Sequence, residues 1–261
     1  MKRIIAVGAG KGGVGKSTVA AILAGALARE GRKVGLLDGD IYGPSMPTMM
    51  GLHDQQPSSD GKQLLPFEAH GLKIMSIGKL VDPDHALVWR GPRAHRAFTQ
   101  LVTDTKWGTL DDLIIDLPPG TGDVPLTLAQ LLPLTGAVIV CTPQVVAQDD
   151  ARRAARMFEE LGVPVLGVVE NMSSFIAPDG TEYDLFGSGG GQNLAESLGL
   201  PFLGSIPIHP ELRINADEGT PEKNWSINEL VSDAFATLAA NVQRHADAAQ
   251  QSTTRPTLDI N

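Results

Sequence analysis

The sequence predicts a doubly wound α/β fold with a mainly parallel sheet, and three observations carry that reading. Short apolar runs alternate with amphipathic helical stretches from one end of the chain to the other. The runs are continuously apolar rather than alternating, the pattern of parallel strands covered on both faces. The first run opens through a glycine-rich turn into a helical stretch, which is the strand–loop–helix unit from which such sheets are wound.

In chain order, the apolar runs that read as strands are Ile4–Ala9, Val34–Asp38, Leu72–Ile77, Asp112–Asp116, Ala137–Thr142, Val165–Glu170 and Phe202–Ile206. Helical stretches lie between them at Ser17–Glu30, Arg93–Thr105, Val124–Leu132, Ala147–Leu161 and Gly190–Leu198. Two segments break the rhythm. His53–Gly71, with Pro57-Ser58-Ser59-Asp60-Gly61, reads as a long loop or lobe. Ile176–Phe186 carries Pro178-Asp179-Gly180 between short runs and reads as a turn or hairpin. A last helix is expected over Ser226–His245. Residues 246–261 are polar and include Thr253-Thr254-Arg255-Pro256, so a disordered tail is expected after a single domain of residues 1–245.

Composition narrows the classes. The 261 residues are 42% hydrophobic, enough to bury the core of one α/β domain. A net charge of −9 does not favour a polyanion as partner, so no nucleic acid is expected. No apolar run reaches the ~18 residues of a membrane span, and a strand starts almost at once, leaving no room for a signal peptide. A cytoplasmic location without membrane contact is the expectation. The lone cysteine, Cys141, excludes an internal disulfide and lies on an apolar strand, where a buried, inert thiol is expected. The histidines, His53, His70, His85, His95, His209 and His245, show no metal-ligand spacing.

Chemistry concentrates at the strand ends, where ligands of such sheets bind. Gly10-Lys11-Gly12-Gly13-Val14-Gly15-Lys16-Ser17 matches the phosphate-cradling pattern of a P-loop NTPase, and Thr18 follows it. Its glycines let backbone amides converge on phosphate oxygens. The helix N-terminus favours the negative charge, Lys16 would reach the β- and γ-phosphates, and the Ser17 hydroxyl would ligate magnesium. Asp116 closes an apolar strand well after this loop, the place of a carboxylate that holds magnesium directly or through water. Asp38-Gly39-Asp40 ends another strand. One of its carboxylates could join the metal's water shell while the other orients the attacking water.

The loop with its second lysine, Lys11, resembles the deviant Walker A loop of the MinD/ParA group of ATPases. Within that group, Asp38-Gly39-Asp40-Ile41-Tyr42-Gly43-Pro44-Ser45 and Asp116-Leu117-Pro118-Pro119-Gly120-Thr121-Gly122-Asp123 resemble the Mrp/ApbC family. Thr142-Pro143-Gln144, Glu170-Asn171-Met172-Ser173 and Phe186-Gly187-Ser188-Gly189-Gly190-Gly191 do too, in the same order. The resemblance implies a nucleotide-dependent iron–sulfur cluster carrier that binds ATP and Mg2+ and acts as a homodimer serving iron–sulfur apoproteins or assembly factors. It implies that Lys11 crosses to the partner's phosphates and Asp40 orients the attacking water. Asp38 and Asp116 surround the magnesium, and Asn171 meets the adenine edge. An alternative from the same loop is a positioning or partition ATPase that docks on a membrane or DNA. Against it, Gln250–Asn261 holds no basic amphipathic helix.

One departure separates the chain from the family pattern. Cluster carriers usually place Cys-x-x-Cys shortly after Asn-Met-Ser, whereas this chain reads Ser173-Ser174-Phe175-Ile176-Ala177-Pro178-Asp179-Gly180. A bridging four-iron cluster needs four thiolates, and two copies of this chain supply two. The nucleotide machinery is expected to be intact and the usual cluster site absent.

Overall fold

The computed structural model describes residues 1–40, 43–80, 92–120, 122–177 and 181–252. A nine-stranded sheet organises them. Its central strands are β1 (Arg3–Ala9), β2 (Val34–Asp38), β7 (Asp112–Asp116) and β8 (Gly136–Cys141), and every residue in them is buried. β6 (Leu72–Ser76) extends the parallel array beside β2, and β9 (Val165–Ile176) and β11 (Phe202–Ile208) extend it beyond β8. The short strands β5 (Phe67–Ala69) and β10 (Glu182–Tyr183) pair antiparallel with β6 and β9. The full order is β10-β9-β8-β1-β7-β2-β6-β5, with β11 also on β9. The doubly wound, mainly parallel expectation is met.

Helices cover the sheet because strands buried on both faces leave no side of it for water. α1 (Lys16–Arg29) lies on β1, β2 and β7 and packs against α8 (Glu229–Ser252), which also covers β11 and β9. α5 (Val145–Glu160) and α6 (Gly190–Leu198) pack together over β8 and β9. α3 (Pro92–Thr103) and α4 (Asp123–Leu131) also meet. α2 (Met46–Met49) follows β2 and packs on α7 (Pro210–Glu218).

Four sequence expectations change. The 53–71 segment is not a plain loop: it forms the small pair β3 (Ser58–Ser59) and β4 (Leu64–Leu65), then β5. β9 runs six residues past Glu170, because β11 and β10 supply backbone partners as far as Ile176. α7 and the 3-10 turn Pro221–Ser226 follow β11, where no helix was expected. The last helix ends at Ser252, not near His245. Its extra turns are anchored: Ala246 is buried, Asp247 Oδ1 accepts from Arg3 Nη1 at 2.7 Å, and Gln250 Nε2 donates to the Lys2 carbonyl at 2.6 Å. The remainder of the expected tail, 253–261, and the Pro178-Asp179-Gly180 turn lie outside the described residues, though the hairpin that contains the turn is present as β9 and β10.

Candidate functional site

The loop between β1 and α1 is held from two sides. A Cβ on Gly10 would sit 2.0 Å from the Asp150 carbonyl of α5, so only glycine admits that approach. Gly15 caps α1 in the left-handed region at φ 76°, and a Cβ there would meet Asn171 Nδ2 at 2.1 Å. Asn171 uses that same amide group to donate to the Val14 carbonyl at 2.9 Å. The loop is therefore clamped between a helix and a strand before any ligand arrives. The first-turn amides of α1 have no intrahelical acceptors, and no acidic side chain occupies that turn, so the helix presents an anion site at the loop.

Three motifs distant in sequence converge beside it. Lys16, only 6% exposed, donates to Asp116 Oδ1 at 2.6 Å and stands 3.9 Å from Asp40 Oδ2. Asp116 ends β7 and Asp38 ends β2, and the two are register partners. Asp38 is wholly buried and fully engaged: Oδ2 accepts from Ser76 Oγ at 2.8 Å and Met46 N at 3.2 Å, and Oδ1 accepts from Asp40 N at 3.2 Å. Burial, then the neighbouring Asp116 charge, pushes the Asp38 carboxyl up to about 7 against those hydrogen bonds. Burial likewise pushes Asp116 up, opposed by the charge and hydrogen bond of Lys16 and by nearby Ser17. Asp40 Oδ1 accepts from Gly43 N at 3.2 Å.

The geometry distributes the expected roles unevenly. Ser17, Lys16, Asp40 and Asp116 share one place. Asp38 lies beside them but commits both oxygens to α2, to Ser76 and to the Asp40 amide, so it braces the site from below. Asn171, expected just past a strand, sits within β9 and opposite Ile206, where it secures the loop. Lys11 is half-buried on the loop and has no ion-pair partner among the described residues. Glu170, to which sequence reading attached no role, is 3% exposed and accepts from Gly191 N at 2.6 Å, fixing the start of α6 against β9. Next along β9, Met172 holds φ 57°, an uncommon backbone for a residue with a side chain. The signal for that corner was the Glu170-Asn171-Met172-Ser173 motif, a carboxylate and an amide at successive strand positions.

Asp116 Oδ2 is buried without a hydrogen-bond partner, although Oδ1 is paired with Lys16. An orphaned carboxylate oxygen beside the Ser17 turn suits a hard divalent cation such as magnesium. A thiolate-bound cluster fares differently. Among the described residues no group of three or more His, Cys, Asp or Glu side chains could hold a metal. Cys141 is buried on β8 and its thiol is pushed up to about 12 by burial and by Glu170. The hairpin where cysteines would fall instead packs Phe175 against Tyr183, with ring centroids 6.4 Å apart.

A loop that cradles phosphate, set in a parallel sheet with carboxylates at the neighbouring strand ends, defines the class of P-loop NTPases. The chain belongs to the ParA family of NUBPL iron-transfer P-loop NTPases, whose family description matches residues 1–243. It is 55% identical over 223 residues to the iron-sulfur cluster carrier protein of Salmonella typhimurium, covering 85% of this chain and 60% of that one. The chain thus spans about three fifths of that relative's length. Among solved structures it is similar to the nucleotide-binding protein of Archaeoglobus fulgidus in complex with ADP, at 42% identity and a TM-score of 0.73, over 85% of this chain and 88% of that one. The septum site-determining protein MinD of Pyrococcus horikoshii, complexed with Mg-ADP, shares the fold at 24% identity and a TM-score of 0.73, over 95% and 99% of the two chains. The Mrp/ApbC resemblance and the link to the MinD/ParA group are both met.

Proposed function

We propose that this chain is a magnesium-dependent ATPase that works as a homodimeric switch in iron–sulfur protein maturation, without holding a cluster on its own cysteines. The observation that carries the reading is the position of Lys16, buried between Asp116 and Asp40 at the mouth of a clamped phosphate loop. ATP phosphates would take the amides of Gly12, Gly13, Val14, Gly15, Lys16, Ser17 and Thr18, with Gly10 allowing the loop's close seat on α5. Lys16 would exchange its carboxylate partner for the β- and γ-oxygens. Ser17 and Asp116 would hold magnesium, with Asp38 behind them; the ion would neutralise charge developing on the phosphates.

Asp40 would accept a hydrogen bond from the attacking water, since it is the carboxylate nearest Lys16 that is not bonded to it. Lys11 would act across a dimer as an arginine finger does, placing a cation where charge develops. Asn171 would reach the adenine edge with the side of its amide turned away from Val14. The link to iron–sulfur proteins is supported by the Salmonella relative's name, and apoproteins or assembly factors are the partners it suggests. The positioning ATPase is the weaker reading, because likeness to MinD stands at 24% identity against 55% to the carrier. A cytoplasmic location fits a chain in which no described helix is long and apolar enough to cross a membrane.

The test joins two measurements on the same sample. Phosphate release from ATP should require magnesium, and light scattering should show a dimer with ATP that reverts as ATP is consumed. A protein that releases no phosphate and stays monomeric overturns the switch. Anaerobic reconstitution with iron and sulfide should leave it colourless; four irons per dimer would overturn the statement about the cluster.

A further inference from the structure

A cavity of about 220 Å³ lies among α1, α2, α7 and the 3-10 turn Pro221–Ser226, apart from the nucleotide site. Its interior is apolar, with Ile22, Met50, Leu212 and Phe235 in the walls, and it shares only the Thr18 turn with the phosphate loop. An apolar cavity of about 150 Å³ holds benzene, so this one has room for a body of roughly ten non-hydrogen atoms. The lining also carries the exposed polar groups Arg29, His70 and Glu222 and the buried Asn224, whose Oδ1 is taken by Asn215. Glu222 is committed to His70 Nδ1 at 2.8 Å, and His70 Nε2 lies 3.2 Å from the Met50 carbonyl. Arg29 has no carboxylate partner among the described residues; its guanidinium stands 4.8 Å over the Trp225 ring, which itself lines the cavity.

An apolar chamber with one uncommitted guanidinium at its entrance fits a ligand with one acid group and an apolar body. We propose that this cavity binds a small aliphatic monocarboxylate of about eight carbons, its chain against Ile22, Met50, Leu212 and Phe235 and its carboxylate on Arg29. The Glu222 carboxylate is bonded to His70 Nδ1 rather than to Arg29, which leaves the guanidinium donors to the ligand. Trp225, seated between the cation and Phe235, gives binding an optical signature.

The test uses the full chain with octanoate and octan-1-ol, followed by Trp fluorescence and calorimetry. Octanoate should bind about tenfold more tightly than the alcohol, the worth of one charge-assisted hydrogen bond. Arg29→Gln should abolish that preference and keep alcohol binding. Ala216→Leu, which fills the cavity, should abolish both. ADP affinity serves as the check that each variant is folded, and saturating ADP should leave octanoate binding in place. Equal affinity for acid and alcohol, displacement of octanoate by ADP, or octanoate binding untouched by either substitution overturns the proposal.

Discussion

Asp38 and Asp116 sit side by side as register partners on β2 and β7, both with no exposed surface. Two buried carboxylates at adjacent strand ends repel when both are charged, and only Asp116 has a cation in contact. Burial, and then that repulsion, push the Asp38 carboxyl from its ordinary 3.8 up to about 7. A raised carboxyl contributes stability that is fully present below the unfolded value and lost as pH rises through the folded one. In protein stripped of metal with EDTA, stability should fall between those limits by about 1.4 kcal/mol per pH unit. Asp38→Asn should flatten the fall. Urea midpoints at several pH values check this, and an equal slope in parent and variant would remove Asp38 as its source.

Lys16→Ala should lower ADP affinity by about 100-fold, since it removes charge-assisted hydrogen bonds of roughly 1.5–3 kcal/mol each. It should also reduce stability by about 3 kcal/mol, because Asp116 then keeps a buried charge with no partner. Calorimetry with ADP and thermal unfolding read the two effects separately. Unchanged affinity in a folded variant contradicts the assignment.

Lys11→Ala behaves differently if the lysine acts across a dimer. ATP binding should stay within a few-fold of the parent while turnover drops by about 1,000-fold, the lower bound for a cation supplied in trans. Turnover at the parental rate would show that Lys11 has no such role.

Asn171→Ala unties the Val14 carbonyl and should cost about 1 kcal/mol, with weaker nucleotide binding because the loop is no longer held. Gly15→Ala should be worse, since its Cβ meets Asn171 Nδ2 at 2.1 Å and φ is 76°. Combining the two removes the clash but not the backbone strain. The double variant should therefore be more stable than the sum of the single effects predicts, and strict additivity would deny that the residues touch.

Cys141 should resist thiol reagents in the folded protein. A thiol pushed up to about 12 is roughly one part in ten thousand thiolate at pH 8, and no surface of it is exposed. Ellman's reagent should find no thiol in native protein and one per chain in denaturant. Rapid native labelling would reopen Cys141 as a cluster ligand.

The centre of the fold was legible because its signals are local. The apolar run before Gly10, the glycines of the loop and the helix after it predict β1, the phosphate loop and α1 to within a residue. Asp38 and Asp116 could be placed at strand ends for the same reason. What stayed hidden depends on distant partners. Asn171-Met172-Ser173-Ser174 is polar and does not read as strand, yet β11 and β10 make it one. Asp38 looked like a metal ligand as much as Asp116 did; only packing shows that Ser76 and Met46 occupy it. The start of α7 had a local signal, Pro210 at the first position after His209, whose ring caps the Glu211 amide at 3.3 Å.

The bond from Arg3 to Asp247 joins positions 244 residues apart. A ribosome adding about 5–20 residues per second needs roughly 10–50 s between making one and the other. Through that interval β1, the strand on which the whole sheet is centred, has α1 on it but not the helix that fastens its first residue. The cover of β1 by α1 can form early, whereas the Arg3–Asp247 tie can close only after the last helix has been made. Fastening of the N-terminal edge of β1 thus waits on the order in which this molecule's parts are made.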